Sequence, residues 1–583
     1  MNSPSENETG ARPWRRWPIL VLLAILAFDA WYRAHTFAAQ LPGPLGSLCP
    51  AAKGPSEPLD CDETAYAYMG HRMLRGDVLY RDLAEHKPPL GYWIYELAVA
   101  LGGYDELAVR LLPLPFVLGT ITLLWWLGLR IAGPSCGCLA AAIFAVASTD
   151  PYLYGNGSNM EHFMNFFSVA ALALFVRGRA GHRRWAIAAA GACVGASALV
   201  KQVAIVPAAV FAVAVLLKPG EGEADARTPA ARLLDGLIFG IGLAAAIGLA
   251  ALALWLQGAG ISAIDEIFRY GPALATDTLP EPNAPPGLIR WLTGNAAPDG
   301  KLPWPFGRTD YLVWWGTGSW PIWLATAAGV AYLLTARGVS STRRLVAAWT
   351  VASALQVILP GLYWQHYYLL VTPGIALTTA VALVDSLGPL VRSTRRTGSV
   401  PRAGAGRIAA SIFAAGSLSL AIAATVVLQV RCYLLVPPQE LTVRYKGGGQ
   451  WVALRAWGEE LDRRRSVWAD PRLYIWGYQA PLHFYGKLDG VTRYFFVDNL
   501  LRDQAERDHP LIRPRIEEIV ASLRAKPPSL IFVGYPPFPA LRAFLRERYR
   551  PSSLIPGGNG MGLWVDGEHH DAFEAAGSRG RAL

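Results

Sequence analysis

The chain has 583 residues, of which 53% are hydrophobic and 16% charged, with 21 tryptophans. So low a charged fraction excludes an ordinary soluble protein, and the runs Trp17 to Phe37, Leu107 to Ile131, Leu233 to Leu256 and Ile408 to Val430 approach or exceed the roughly 20 residues that cross a hydrocarbon core. The formal net charge of +10 belongs first to membrane topology, and no nucleic-acid partner is expected.

Taken in order, the polar segment 1–16 ends in the cluster Arg12, Arg15 and Arg16 and leads into a span too long for a signal peptide. The first span is therefore expected to stay as an anchor. About eleven spans follow from the length criterion of roughly 20 residues: 17–39, 107–131, 134–153, 160–176, 185–203, 205–217, 233–257, 311–335, 345–362, 367–388 and 408–430. The sixth is short and Pro207 opens its apolar core, so the chain is expected to bend between 185 and 217. With the N-terminus inside, arginines and lysines recur in every second connection, from Arg130 to Arg407, while the short connections 154–159 and 363–366 carry none. That alternation sets the orientation: a cytoplasmic 1–16, a transmembrane domain over 17–430, and outer loops at 40–106 and 258–310. The second loop is rich in proline, with Trp291, Trp304 and Phe306 interleaved, and is expected to lie on the membrane surface as a lid.

Beyond Arg431 the composition becomes mixed and charged. Helices are predicted over Trp451–Arg464 and Arg513–Ala525, and strands over Arg472–Trp476, Arg493–Val497 and Ser529–Val533. Strands alternating with helices predict a small α/β domain, 431–566, outside the membrane, with a disordered tail over 567–583. The predicted fold class is thus a polytopic α-helical membrane protein carrying a C-terminal α/β extracytoplasmic domain. Six cysteines are too few for a disulfide scaffold. Cys49 and Cys61 share the first loop and are the pair an oxidising compartment would join.

The chemistry concentrates in the first loop. Asp62 and Glu63 open a helical run, Thr64 to Leu74, where a helix N-terminus stabilises carboxylates without any catalytic role. The functional reading is a general base at the membrane face, shielded by lipid and rings so that its pKa rises. Lys87, within His86-Lys87-Pro88-Pro89, is either a snorkelling lysine or an ammonium held by a stiff turn against an anionic head group. Glu161 opens the fourth span and Lys201 ends the fifth. Each reads as a solvated or snorkelling group, or as a member of a site at membrane depth. Arg269 follows the seventh span, and His366 lies among aromatics at another outer edge, where a hydrogen-bonded structural histidine is the plain alternative. The predicted topology puts Asp62, Glu63, Lys87, Glu161, Lys201, Arg269 and His366 on one side of the membrane, which describes a single outward-facing cavity.

On these residues the chain resembles the membrane-embedded GT-C glycosyltransferases, in particular the superfamily of protein O-mannosyltransferases and lipid A aminoarabinose transferases, and among them bacterial members of family 39, the RgtA-like group. The resemblance rests on Asp62-Glu63 after the first span, His86-Lys87-Pro88-Pro89-Leu90 before an interfacial helix, Glu161, and Lys201-Gln202. It implies a GT-C fold, with Asp62 as catalytic base and Glu63 beside it, Glu161 as a second acid where many relatives carry aspartate, and Lys87, Lys201 and Arg269 on the donor phosphate. It implies a polyprenyl-phosphate sugar donor, a glycan, lipid or protein acceptor, and a place in the cytoplasmic membrane among its lipids. A divalent metal ion is implied only in so far as some members bind one and others need none; no ligand cluster in this sequence calls for it, and no cofactor is assigned. The rival reading is a transporter or flippase of lipid-linked sugars, which predicts ionisable groups at mid-membrane and two related halves. A third is an assembly role for the tail on a degenerate anchor.

Overall fold

The computed structural model describes residues 16–41, 54–217, 228–276, 319–358, 364–394 and 402–579. Cys49, the aromatic residues of the expected lid (Trp291, Trp304 and Phe306) and residues 580–583 lie outside them. Among the described residues, six helical stretches are long and apolar enough to cross a membrane: Trp17–Ala34, Glu106–Ala132, Met160–Gly181, Pro229–Leu256, Gln365–Gly388 and Ile408–Leu434. Shorter apolar helices stand at Pro134–Ala147, Gln202–Leu216 and Trp320–Thr335, and further helices at Arg184–Ala198 and Ser341–Ile358.

Burial sorts these helices. The most apolar 18-residue window within Gln365–Gly388 is 89% buried, whereas those of Pro229–Leu256 and Ile408–Leu434 are 17% and 11% buried. The first is therefore an inner element, and the other two present their side chains outward, as lipid-facing helices do. The main apolar core joins Leu124, Phe144, Phe175, Trp349 and Leu377 from five helices. The expected bend at Pro207 is present: Arg184–Ala198 ends, Lys201 takes an extended conformation, Gln202–Ile205 forms a 3₁₀ turn, and a new helix starts at Val206 with Pro207 in its first turn. Proline lacks the N–H that a continuous helix would need there.

In the first loop, Asp60 caps the helix Cys61–Leu74. Its carboxyl accepts from the Glu63 N–H, and the Glu63 carboxylate accepts from the Asp60 N–H, each at 3.0 Å. This reciprocal box satisfies two otherwise orphaned donors. A second helix, Leu90–Gly102, follows Pro88-Pro89.

Downstream, four strands form one sheet in the order β1-β2-β4-β3: β1 Leu473–Trp476, β2 Leu530–Val533, β3 Tyr549–Pro551 and β4 Gly562–Asp566. β1 and β2 run parallel, Leu473 opposite Leu530, and β4 runs antiparallel to both β2 and β3. Tyr474 and Trp476 enter one core, Leu473 and Ile475 the other. Both faces of the sheet are thus covered, which is why these strands read as continuous apolar runs.

Two expectations fail here. Residues 493–497 form no strand, because their backbone bonds elsewhere: the Arg493 carbonyl accepts from the Ala84 N–H, and the Val497 N–H donates to the Gly477 carbonyl. The segment expected as a disordered tail contains the helix His570–Arg579. It is held by Phe573, fully buried among Leu461, Leu473 and Leu563.

Candidate active site

The capped helix Cys61–Leu74, the turn before Leu90, the start of the helix Met160–Gly181, the break at Lys201 and the 3₁₀ turn Gln365–Val371 bring their ionisable side chains to one place. His366 Nε2 lies 3.9 Å from Asp62 Oδ2. Lys201 Nζ contacts Glu161 Oε1 and stands 4.7 Å from the centre of the Tyr367 ring. Lys87 Nζ is 3.6 Å from Glu85 Oε1 and 5.3 Å from the centre of the Tyr66 ring. His86 Nδ1 is 2.9 Å from the same Glu85 oxygen.

Charge balance fixes the protonation states. Burial alone would raise the Asp62 pKa, but Lys87, His366 and Lys201, in that order, outweigh it and lower the pKa below the ordinary aspartate value. The raised pKa expected for a lipid-shielded base is thus corrected: two lysines and a histidine surround this carboxylate, and it stays ionised. Burial would likewise strip the proton from Lys87, yet Glu85 and Asp62 prevail and raise its pKa, so the ammonium persists. Burial opposes ionisation of Glu85 as well, and there Lys87 and His86 reverse it, so Glu85 titrates lower than usual. Asp60 goes the other way. Burial, then Glu63 and Asp62, push it up to about 8.

Of the predicted residues, Asp62, His86, Lys87, Glu161, Lys201 and His366 therefore share one neighbourhood. Glu63 does not face it. Besides closing the capping box, its carboxylate accepts from Arg110 at 3.1 Å and from the Ser158 N–H at 2.7 Å, with both side chains of the pair buried. It is a structural anchor, because both of its buried oxygens are engaged, Oε1 by Arg110 and the Ser158 N–H and Oε2 by the Asp60 N–H. Arg269 is also placed elsewhere. The π-helical turn Asp265–Tyr270 buries Glu266 and Tyr270 and leaves Arg269 67% exposed, paired with Asp265 at 2.9 Å.

Sequence reasoning missed Glu85. It is 4% exposed and organises both His86 and Lys87; its only sequence signal is adjacency to that pair. Glu161 is fully buried and its Oε2 has no hydrogen-bond partner among the described residues. No group of three or more His, Cys, Asp or Glu side chains among the described residues is placed to hold a metal ion. The Cys61 thiol donates to the Tyr478 carbonyl at 2.7 Å. A cavity beside His86, bordered by Glu266, Tyr270 and Asp498, measures about 20 Å³, which is room for a water and not for a sugar.

Residues 86–255 match the family model of dolichyl-phosphate-mannose-protein mannosyltransferase. No curated protein matches the chain by sequence. Among solved structures, ArnT from Cupriavidus metallidurans bound to undecaprenyl phosphate superposes with a TM-score of 0.55 at 14% identity, covering 95% of this chain and 98% of that one. The apo oligosaccharyltransferase of Archaeoglobus fulgidus gives 0.54 at 13% identity over 90% of this chain and 70% of its own. The oligosaccharyltransferase AglB of the same organism, in complex with an inhibitory peptide and a dolichol-phosphate, gives 0.50 at 13% identity over 89% and 69%. At such identities the likeness is one of fold. The chain therefore shares its overall fold with ArnT and with the archaeal oligosaccharyltransferase, and its residues 86–255 resemble the dolichyl-phosphate-mannose-protein mannosyltransferase family.

Proposed function

We propose that the protein transfers a sugar from a polyprenyl-phosphate donor to a glycan, lipid or protein acceptor at the outer face of the cytoplasmic membrane, as a chain of eleven spans with its C-terminal unit on the same side. The observation that carries this reading is a carboxylate, Asp62, held in its ionised form chiefly by Lys87, with His366 at 3.9 Å and Lys201 contributing. Relatives bound to undecaprenyl phosphate and to dolichol-phosphate support the donor class.

In this reading the donor phosphate docks against Lys87, whose ammonium neutralises charge that develops as the phosphate leaves. Lys201 has less to give, because Glu161 already holds it. A phosphate drawing on Lys87 weakens the field that keeps the Asp62 pKa low, so donor binding itself moves Asp62 toward the range of an effective general base. Asp62, with its side chain 39% exposed, is open to the acceptor and takes its proton as attack proceeds. The free Oε2 of Glu161 accepts from a sugar hydroxyl.

The test is a transfer assay in membranes with labelled polyprenyl-phosphate sugars. Asp62→Asn is expected to abolish transfer while donor binding persists, and Lys87→Ala to weaken donor binding. Turnover by Asp62→Asn at the wild-type level would remove the base and with it the reaction.

A further inference from the structure

Tyr80 adopts the left-handed conformation, φ 68°, with its side chain fully buried. An aromatic residue holds that backbone only where its surroundings fix it, and such outliers gather at functional turns. Three hydrogen bonds fix this one. Its N–H donates to the Leu83 carbonyl at 2.8 Å, its carbonyl accepts from Arg493 Nη1 at 3.0 Å, and its hydroxyl donates to the Lys87 carbonyl at 2.7 Å.

Arg493 comes from the C-terminal unit and is anchored there by two bonds to Glu518, at 2.9 and 3.2 Å. It also reaches Glu266 at 3.4 Å, and its own carbonyl accepts from the Ala84 N–H at 3.0 Å. One residue of the C-terminal unit therefore pins both the start and the end of the turn 80–84, directly before Glu85-His86-Lys87. Without the Tyr80 hydroxyl, the Lys87 backbone loses its tie to that turn, and Glu85, already 3.6 Å from Nζ, is the group onto which the ammonium would collapse.

We propose that Tyr80 is a positioning residue for Lys87, set in place by Arg493, so that the C-terminal unit controls how the phosphate-binding lysine is presented. This rests on the reading of Lys87 as a donor-phosphate ligand.

The experiment is a double-mutant cycle on the full chain in lipid nanodiscs, reading the Kd for undecaprenyl phosphate. Tyr80→Phe keeps the ring and removes only the hydroxyl. It is expected to weaken binding about 3- to 10-fold, the range of one lost hydrogen bond, to raise the donor KM and lower kcat together, because Lys87 also meets the leaving phosphate, and to lower Tm only slightly. In a Lys87→Ala background the same substitution is expected to have no further effect. Arg493→Lys, which keeps one donor, is expected to fall between wild type and Arg493→Ala. Equal weakening by Tyr80→Phe in both backgrounds, or none in either, would overturn the positioning role while leaving Lys87 as the ligand. Wild-type affinity in Lys87→Ala alone would instead remove the phosphate-ligand reading, and this proposal with it.

Discussion

At the scale of single residues, three neighbouring acids carry three different duties because their surroundings differ. Asp62 faces cations and stays ionised, Glu63 is consumed by Arg110 and the helix cap, and Asp60 keeps its proton to about pH 8. The last has a consequence for stability. From 3.8, the ordinary value, to about 8, the unfolded chain has released the Asp60 proton and the folded chain has not. Folding thus takes up a proton in that window, and stability falls as pH rises through it. Asp60→Asn keeps an oxygen for the Glu63 N–H and cannot titrate. Thermal unfolding is therefore expected to show the wild type losing several degrees between about pH 5 and about pH 8 relative to this variant. Parallel curves would mean that Asp60 is ionised throughout.

At the scale of elements, the pairing of Arg184–Ala198 with Pro229–Leu256 depends on missing side chains. A Cβ at Gly242 would collide with the Ala188 carbonyl, and one at Gly191 with the Phe239 carbonyl, whereas Gly240 has nothing within 4 Å. Small residues at such crossings let helix backbones approach where no hydrophobic effect drives association. Gly242→Val is expected to cost about 1–3 kcal/mol through overpacking, read as a lower Tm in detergent. Gly240→Ala, on the open face, is expected to be neutral or slightly stabilising because alanine favours helix. A similar loss in both would show that helix propensity matters here and the crossing does not.

At the scale of the whole molecule, the C-terminal unit is bound into the rest of the chain. Arg515 Nη1 reaches the buried Glu266 at 2.6 Å and its guanidinium lies 4.0 Å from the centre of the Tyr270 ring, and Ala480, Phe484, Tyr485 and Phe495 share a core with Tyr68 and Tyr95. The last helix belongs to this body too. Phe573→Ala is expected to destabilise by about 3–5 kcal/mol, the cost of emptying a filled aromatic site. Limited proteolysis of the C-terminal unit reads the effect, and unchanged protection would return His570–Arg579 to the status of a dispensable tail.

The sequence by itself determined the membrane class, the helices and the chemical cast of the site. Long apolar runs have no other solution than helices in lipid; Glu161, Lys201 and His366 were legible as costly groups near span ends, and Asp62 and Lys87 as the charged members of the first outer loop. The capping box went unread although Asp60 and Glu63 have its spacing, and spacing does not say which of two adjacent acids turns outward. Only the tertiary structure decided that Arg110, 47 residues away, occupies Glu63 and leaves Asp62 to the cations. It also decided that Arg269 turns away on a π-helical turn, that Glu85 joins His86 to Lys87, and that residues 493–497 bind the first loop instead of a sheet. Local pattern fixes what a segment can form; which charge meets which is settled by contacts distant in sequence, and a carboxylate's role follows from those neighbours.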